Sequence, residues 1–250
     1  MQDENMIIDT ESKKNDSLYS GLENDSRLNI GKEIDIANDL LIKAKFIFGD
    51  DDLQYMKILQ AKIQLEKLLA IPSPTGYTKD VTNYLVNELQ SMGYSPYSLH
   101  KGGVICALNE GENAVMLAAH VDTLGAMVKT VKGNGALTVT ALGGLNAANV
   151  ETETAWVLTR DGRKYEGTFQ LENASSHVNR EVNTAVRSFD STVELLLDEK
   201  VYSARDTKAL GIETGDFVAV NPRFTITESG FIKSRFLDDK ASAAVLLSLA

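Results

Sequence analysis

The feature that most constrains the fold is a change of sequence pattern part-way along the chain. From Leu53 to about Gly93 apolar residues recur at helical spacing, whereas from Val128 to Phe236 short strand-like runs alternate with turn residues. Lys132-Gly133-Asn134-Gly135 and Arg160-Asp161-Gly162-Arg163 are hairpin candidates, and only Ala204 to Leu210 has a helical pattern in this region. A helical pattern returns from Lys240 to Ala250. A β-rich segment of about a hundred residues therefore interrupts an α/β chain, which predicts an inserted domain.

The chain before the β-rich segment has the pattern of two helices and a buried strand. One helical pattern begins at Leu53 and ends before Pro72, because proline removes a backbone donor and restricts the preceding residue. A second helix is expected to begin after Thr78 and to end near Gly93. The apolar run Ala114 to Ala119 then predicts a fully buried strand of an α/β sheet.

Charge is concentrated at the start of the chain. Residues 1–52 hold 13 acidic and 6 basic side chains, whereas the remaining 198 residues hold 22 acidic and 19 basic ones. We expect the first 35 residues to be mostly disordered, because they can bury little apolar area, and a short helix over Ile36 to Phe48. Neither part offers the basic face that a phosphate backbone requires, so nucleic acid is not an expected partner.

The cellular setting follows from what the sequence does not contain. No apolar run approaches the length of a membrane span, and the acidic start Met1-Gln2-Asp3-Glu4-Asn5 lacks the pattern of a secretory signal. The single cysteine, Cys106, cannot form an internal disulfide, which favours a reducing compartment. We therefore expect a cytoplasmic protein without a membrane partner.

The first candidate for chemistry is His120 with Asp122, at the end of the predicted buried strand. Residues two apart in a strand project to one face, and ligands of open α/β sheets gather beyond the carboxyl ends of strands. The pair therefore fits a metal-binding imidazole oriented by a carboxylate. The alternative is a histidine that is satisfied structurally by its neighbouring aspartate.

The second candidate is the pair Asp238-Asp239, where a predicted strand meets the C-terminal apolar helix. Two adjacent carboxylates repel each other, so a semi-buried pair requires compensation, and a bound cation can supply it. The alternative is a helix N-cap aspartate followed by a second acid in the first turn.

These motifs, taken in order, resemble the co-catalytic metallopeptidases. The matching segments are Ile71-Pro72-Ser73-Pro74-Thr75-Gly76, the helix after it, the strand that ends in Ala119 to Gly125, and Asp238-Asp239-Lys240. The resemblance is to the glutamyl, deblocking and tetrahedral aminopeptidases (metallopeptidase family forty-two), and it runs from about Leu53 to Ala250. The 118 positions between His120 and the second motif favour this family, because related carboxypeptidases and deacylases carry their extra domain later.

The resemblance implies a fold and a division of the chain. The fold would be an α/β catalytic domain, with a mixed sheet flanked by helices, interrupted by an inserted β-barrel-like domain. Residues 53–126 and 229–250 would form the two parts of the catalytic domain, residues 127–228 the insert and residues 1–52 the acidic extension. The insert would mediate assembly into a homo-oligomer.

The resemblance also implies a dinuclear site that acts on peptide substrates. His120 would bind one metal, Asp238 would bridge two, Asp122 would orient His120, and Asp239 would be a neighbouring structural acid. Two divalent ions (zinc, cobalt or manganese) that share a water lower its pKa, so that hydroxide can attack a peptide carbonyl. The implied activity is the removal of N-terminal residues from peptides.

The sequence also departs from the family pattern. Thr123 stands where the family usually has glutamate, and the acidic extension is unusual. The family's general base and remaining ligands follow the second motif, so we expect them beyond Ala250 and expect the 250 residues to be inactive alone. The helix from Lys240 ends without a cap, from which we expect that the protein has been cut there. The alternatives are an inactive truncated relative that serves as a scaffold or interaction module, and a related metal-dependent deacylase or carboxypeptidase.

Overall fold

The computed structural model describes residues 50–109, 111 and 114–250, with the side chains of residues 50–52 left out. The chain divides into two units, residues 1–60 and residues 61–250, and the site described below lies in the second. The predictions of a disordered extension and of a helix over Ile36 to Phe48 lie outside the described residues. None of the helices that the structure describes is long and apolar enough to cross a membrane.

Two helices precede the strands, as the apolar spacing predicts. Helix α1 spans Asp50–Ala70 and helix α2 spans Lys79–Ser91, with Gly93 at a φ of 92° just beyond the second helix. Thr78 occupies the N-cap position of α2, although its side chain makes no capping hydrogen bond. A buried apolar cluster joins the end of α1 to α2 and to the C-terminal helix; it contains Leu65, Leu68, Leu69, Val81, Leu89, Ala243, Ala244 and Leu247.

The segment Ala114 to Ala119 does not form the buried strand that its composition predicts. It has no regular secondary structure, and Val115 and Met116 are 85% and 87% exposed. A strand that is buried on both faces needs paired neighbours and covering side chains. In the part of the chain that the structure describes, the nearest pairing is one parallel bridge, between Pro74 and Thr123, after this segment. The prediction of a buried strand is therefore wrong for this structure.

The β-rich segment forms a closed six-stranded antiparallel barrel. Its strands are β3 (Gly125–Val131), β4 (Leu137–Leu142), β5 (Thr154–Leu158), β6 (Lys164–Leu171), β7 (Val193–Leu197) and β8 (Phe217–Val220). Their order around the barrel is β3-β4-β7-β6-β5-β8. Upstream, β1 (Tyr97–Ser98) pairs with β2 (Val104–Ile105).

Every second side chain of the strands points into the barrel and fills its interior. In β6 the residues Gly167, Phe169 and Leu171 are buried, and Phe169 lies opposite Leu195 of β7. Closed barrels place alternate residues of each strand inside, so a period-two pattern of apolar residues supplies the core. The fully or nearly fully buried members of this core are Ala126, Val128, Leu137, Val139, Val150, Ala155, Val157, Phe169, Leu195, Ile212 and Val218.

Local turn chemistry connects the strands as predicted. The turn Lys132–Gly135 joins β3 to β4, with Gly135 at a φ of 90°, a conformation that favours glycine. The turn Arg160–Arg163 joins β5 to β6, and the predicted helical stretch is helix α3 (Ala204–Ala209). A 3-10 turn spans Ala147–Asn149 between β4 and β5.

The chain leaves the barrel through a small hairpin and ends in a helix. Strands β9 (Thr225–Ile226) and β10 (Ile232–Lys233) pair with each other, and helix α4 spans Leu237–Leu249. Asp238 and Asp239 have non-helical backbone angles, so the regular part of α4 begins at Lys240. This geometry places both aspartates in the turn that enters the helix.

Candidate metal centre

Closure of the barrel brings the two predicted site motifs to one place. The chain enters the barrel at β3, just after Asp122, and leaves it from β8, 18 residues before Asp238. Because β3 and β8 pair, with Ala126 opposite Val218, the entry and exit of the barrel lie side by side. His120 and Asp238 are thereby in contact although 118 residues separate them.

His120 lies between two carboxylates. Its Nδ1 is 3.2 Å from Asp122 Oδ1 and also 3.2 Å from the backbone oxygen of Asp122. Its Nε2 is 3.1 Å from Asp238 Oδ1. The side chains of His120, Asp122 and Asp238 are 54%, 39% and 94% exposed, so solvent reaches the site. The structure therefore brings the three predicted residues together, one acid at each ring nitrogen.

The electrostatics of this arrangement favour a positive charge on the ring. Desolvation acts to lower the pKa of His120, but hydrogen bonds to Asp238 and to the Asp122 backbone, together with both carboxylate charges, raise that pKa above its usual value. On a protonated ring, the Nε2 proton lies between that nitrogen and Asp238. A divalent ion would take the same place, because both groups are metal donors when deprotonated.

The spacing of the two donors fits one shared ion. Bonds of about 2.0–2.2 Å to a tetrahedral ion would leave a histidine nitrogen and a carboxylate oxygen about 3.4 Å apart, and the observed separation is 3.1 Å. The donor set is nevertheless incomplete. Over residues 50–109, 111 and 114–250 no group of three or more His, Cys, Asp or Glu side chains could hold a metal ion together. Catalytic zinc sites use three protein ligands, so this pair would form part of a site.

The Asp238-Asp239 pair sits differently from an ordinary helix cap. The N-cap position of α4 is Phe236, which has a φ of 64° and makes no side-chain capping bond. Asp238 contacts His120, and the peptide bond between the two aspartates is cis. Asp239 is half-buried beside it. The alternative interpretation, in which Asp238 serves as the helix N-cap, is not what the structure shows.

Two polar residues near the site were missed in the sequence. Lys240 is 1% exposed and donates to the backbone oxygens of Leu68 (2.6 Å) and Ile71 (2.8 Å) at the end of α1. Burial lowers the pKa of Lys240 to about 8. Thr75 donates through Oγ1 to Asp122 Oδ2 at 2.7 Å. A single lysine among the apolar residues of α4 was the available signal for the first, and the threonine of the Ile71–Gly76 motif for the second.

Comparison with known proteins identifies the family. The model of the M42 glutamyl aminopeptidase family matches residues 102–250, more than half of the chain. The chain belongs to this family. Both candidate motifs, His120 with Asp122 and Asp238-Asp239, lie inside the matched region.

Two curated M42 relatives match the same share of the chain. The Bacillus subtilis protein YhfE, whose name marks it as a candidate aminopeptidase, is 44% identical over 187 residues, which are 74% of this chain and 54% of the relative. The glutamyl aminopeptidase of Lactococcus lactis is 25% identical over 190 residues, 74% of this chain and 53% of the relative. The chain thus spans about half the length of these relatives.

Solved structures of an aminopeptidase and a peptidase share the fold. Aminopeptidase APDkam598 of Desulfurococcus kamchatkensis aligns with a TM-score of 0.64 at 22% identity, over 75% of this chain and 50% of that one. The TET1 peptidase of Pyrococcus horikoshii, which can assemble into a tetrahedron or a large octahedral shell, gives 0.64 at 22% identity, over 75% and 54%. The chain therefore shares the fold of about half of each of these proteins.

Proposed function

We propose that this chain carries the first two ligand motifs of a metal-dependent aminopeptidase that removes N-terminal residues from peptides. The observation that carries the proposal is the 3.1 Å separation of His120 Nε2 and Asp238 Oδ1 across 118 residues of sequence. Family membership supports it, because M42 relatives are named as aminopeptidases.

Each residue of the site has a proposed task. His120 would bind one metal through Nε2, and Asp238 would bridge two ions through its carboxylate oxygens. Asp122 would keep the proton of the neutral imidazole on Nδ1, which leaves the Nε2 lone pair free for the ion. Divalent ions at such a site polarise a peptide carbonyl and lower the pKa of a water. Asp239 would support the turn that presents Asp238.

The domain organisation belongs to the same proposal. The barrel strands run from Gly125 to Val220, close to the proposed insert of residues 127–228. The site residues flank this range, which supports a catalytic domain in two parts around an inserted barrel. Assembly of the related TET1 peptidase into shells supports a homo-oligomer formed through the barrel, and the single cysteine supports a cytoplasmic location.

Metal binding by the 250-residue chain tests the proposal directly. Zinc, cobalt and manganese are titrated by calorimetry into wild type, His120→Ala and Asp238→Asn. We expect binding by wild type and a loss of at least tenfold in affinity in each variant, because His120→Ala removes one of two donors and Asp238→Asn removes the negative charge of the other. Glu228→Gln, an exposed acid on the β9–β10 turn, is the control and should bind as wild type does.

The outcomes separate the proposed enzyme from its main alternative. Absence of binding by wild type, or equal affinity in all four proteins, would contradict a metal site at His120 and favour a scaffold or interaction module. Activity is measured in parallel on aminoacyl-nitroanilides. We expect little or none from this chain, because the residues that the structure describes supply only two donors to an ion.

A further inference from the structure

Ser73 and Thr75 of the Ile71–Gly76 segment are hydrogen-bonded to the stretch of chain that carries His120 and Asp122. Thr123 N donates to Ser73 O at 2.8 Å, and Thr75 N donates to Thr123 O at 3.1 Å. The hydroxyl of Ser73, which is 1% exposed, donates to Val121 O at 2.7 Å. These bonds fix the backbone on both sides of Asp122. The backbone is therefore held independently of any side chain in the site.

One side chain of this segment reaches into the site itself. Thr75 Oγ1 lies 2.7 Å from Asp122 Oδ2, whereas its other acceptor, Thr123 O, is 3.3 Å away. A hydroxyl has a single proton, so it goes to the nearer, charged acceptor, in the short range of hydrogen bonds to carboxylates. The remaining carboxylate oxygen, Oδ1, faces His120 Nδ1. Each oxygen of Asp122 thus has its own partner.

We propose that Thr75 is a positioning residue for the metal centre. It fixes the rotamer of Asp122, and Asp122 in turn would keep the proton of the neutral imidazole on Nδ1 and leave the Nε2 lone pair free for an ion. Threonine suits the task because branching at Cβ leaves few rotamers, so its hydroxyl holds a direction. This inference rests on the proposed function, since it assigns Thr75 to the same site.

The expected loss of zinc affinity on replacing Thr75 follows from the number of contacts between Thr75 and the metal. Loss of a residue that bonds a metal ligand costs about 10–100-fold in affinity. Thr75 acts one contact further from the metal and is exposed, so water competes for the same hydrogen bond. We therefore expect Thr75→Val to weaken zinc binding about three- to tenfold. Thr75→Ser retains the hydroxyl and should stay within about threefold of wild type.

The control separates positioning from stability. Thr82 of α2 is also a hydrogen-bonded threonine, donating to Gly102 O at 3.2 Å, but it is buried and away from the site. Thr82→Val should lower the urea midpoint at least as much as Thr75→Val does, and should leave the zinc affinity unchanged. If Thr82→Val weakens zinc binding equally, the effect of Thr75 is merely structural and the proposal fails.

Imidazole NMR gives a readout that requires no metal. In the ¹⁵N-labelled, metal-free chain at pH 8.5, His120→Ala identifies the His120 signals among the three histidines. Wild type and Thr75→Ser should have the same ratio of Nδ1-protonated to Nε2-protonated His120, whereas Thr75→Val should shift this ratio towards the form protonated on Nε2. An unchanged spectrum in Thr75→Val would overturn the proposal. A wild-type chain that binds no zinc would instead refute the proposed function, and the spectrum would still decide the role of Thr75.

Discussion

The buried ammonium of Lys240 should make the stability of this chain depend on pH above neutrality. Lys240 is 1% exposed, and burial lowers its pKa to about 8, whereas the unfolded chain has an ordinary lysine pKa of about 10.5. Between these values the unfolded state binds more protons than the native state. Stability therefore rises with pH through this window, and the gain is lost as pH falls towards 8.

The size of the effect follows from the same two values. A pKa difference corresponds to about 1.4 kcal/mol per unit, so the full gain between pH 8 and pH 10.5 is about 3 kcal/mol. Lys240→Met removes this titration together with the hydrogen bonds to Leu68 O and Ile71 O. Each buried acceptor left without a donor costs about 1–3 kcal/mol.

These two contributions oppose each other near neutral pH. At pH 7 the methionine variant loses both hydrogen bonds but avoids the cost of burying a charge, so its free energy of unfolding should lie within about 3 kcal/mol of wild type. At pH 10 most of the native wild-type chain carries a neutral Lys240, so it has most of the gain in stability described above. The deficit of the variant should then be about 2–3 kcal/mol larger than at pH 7.

Urea denaturation followed by far-UV circular dichroism at pH 7, 8, 9 and 10 measures this difference. Lys208→Met, at an exposed position of α3, is the matched control and should run parallel to wild type. If Lys240 contributed only its hydrogen bonds to the buried carbonyl oxygens, the free energy of unfolding of Lys240→Met would lie below that of wild type by the same amount at every pH. If the difference in free energy of unfolding between Lys240→Met and wild type does not change with pH, burial does not lower the pKa of Lys240 and the reasoning is refuted.

Two further predictions concern the barrel and its junction with the site. Phe169→Ala should cost about 3–5 kcal/mol in the free energy of unfolding, because Phe169 is fully buried in the barrel; Tyr202→Ala, at a side chain 82% exposed, should cost far less, and equal urea midpoints would contradict this core. Gly125→Ala should cost about 1–3 kcal/mol, because the new Cβ would clash with Pro74 Cβ and lie 2.9 Å from a backbone oxygen of β8. Gly133→Ala, where a Cβ meets open space, is its control, and equal stability of the two alanine variants would refute the close approach.

The fold was predictable wherever the signal was local. Glycine and asparagine in Lys132–Gly135 specify a turn whatever lies around it, and the apolar spacing of α1 does the same for a helix. The pairing of β4 with β7 and of β5 with β8 joins residues far apart in sequence, so no local pattern predicts it. Ala114 to Ala119 failed for the same reason, since burial of a strand depends on neighbours that a sequence window does not contain.

The sequence predicted the charged residues of the candidate site but not the residues that hold them in place. Histidine and aspartate are unusual next to an apolar run, so His120 and Asp122 stand out, and the structure brings His120 into contact with both Asp122 and Asp238. Their roles towards a metal stay predictions. Thr75 and Lys240 are ordinary residue types, and only tertiary structure shows that one hydroxyl meets a carboxylate of the site and that one ammonium caps a distant helix.

The barrel also changes what it costs to assemble this site. If the barrel were unfolded, bringing His120 and Asp238 together would close a flexible loop of 118 residues. Once β3 pairs with β8, Ala126 is held opposite Val218, and about 26 residues outside that pairing separate the two motifs. The entropic cost of closure grows with the logarithm of loop length, so the folded barrel lowers it by about 1 kcal/mol. The barrel does more through geometry, because its entry and exit strands are neighbours and direct both motifs to one edge. A site whose donors come from opposite ends of a long β-rich segment is therefore stabilised by the closure of that segment, and damage to the β3–β8 pairing should weaken metal binding without touching a ligand.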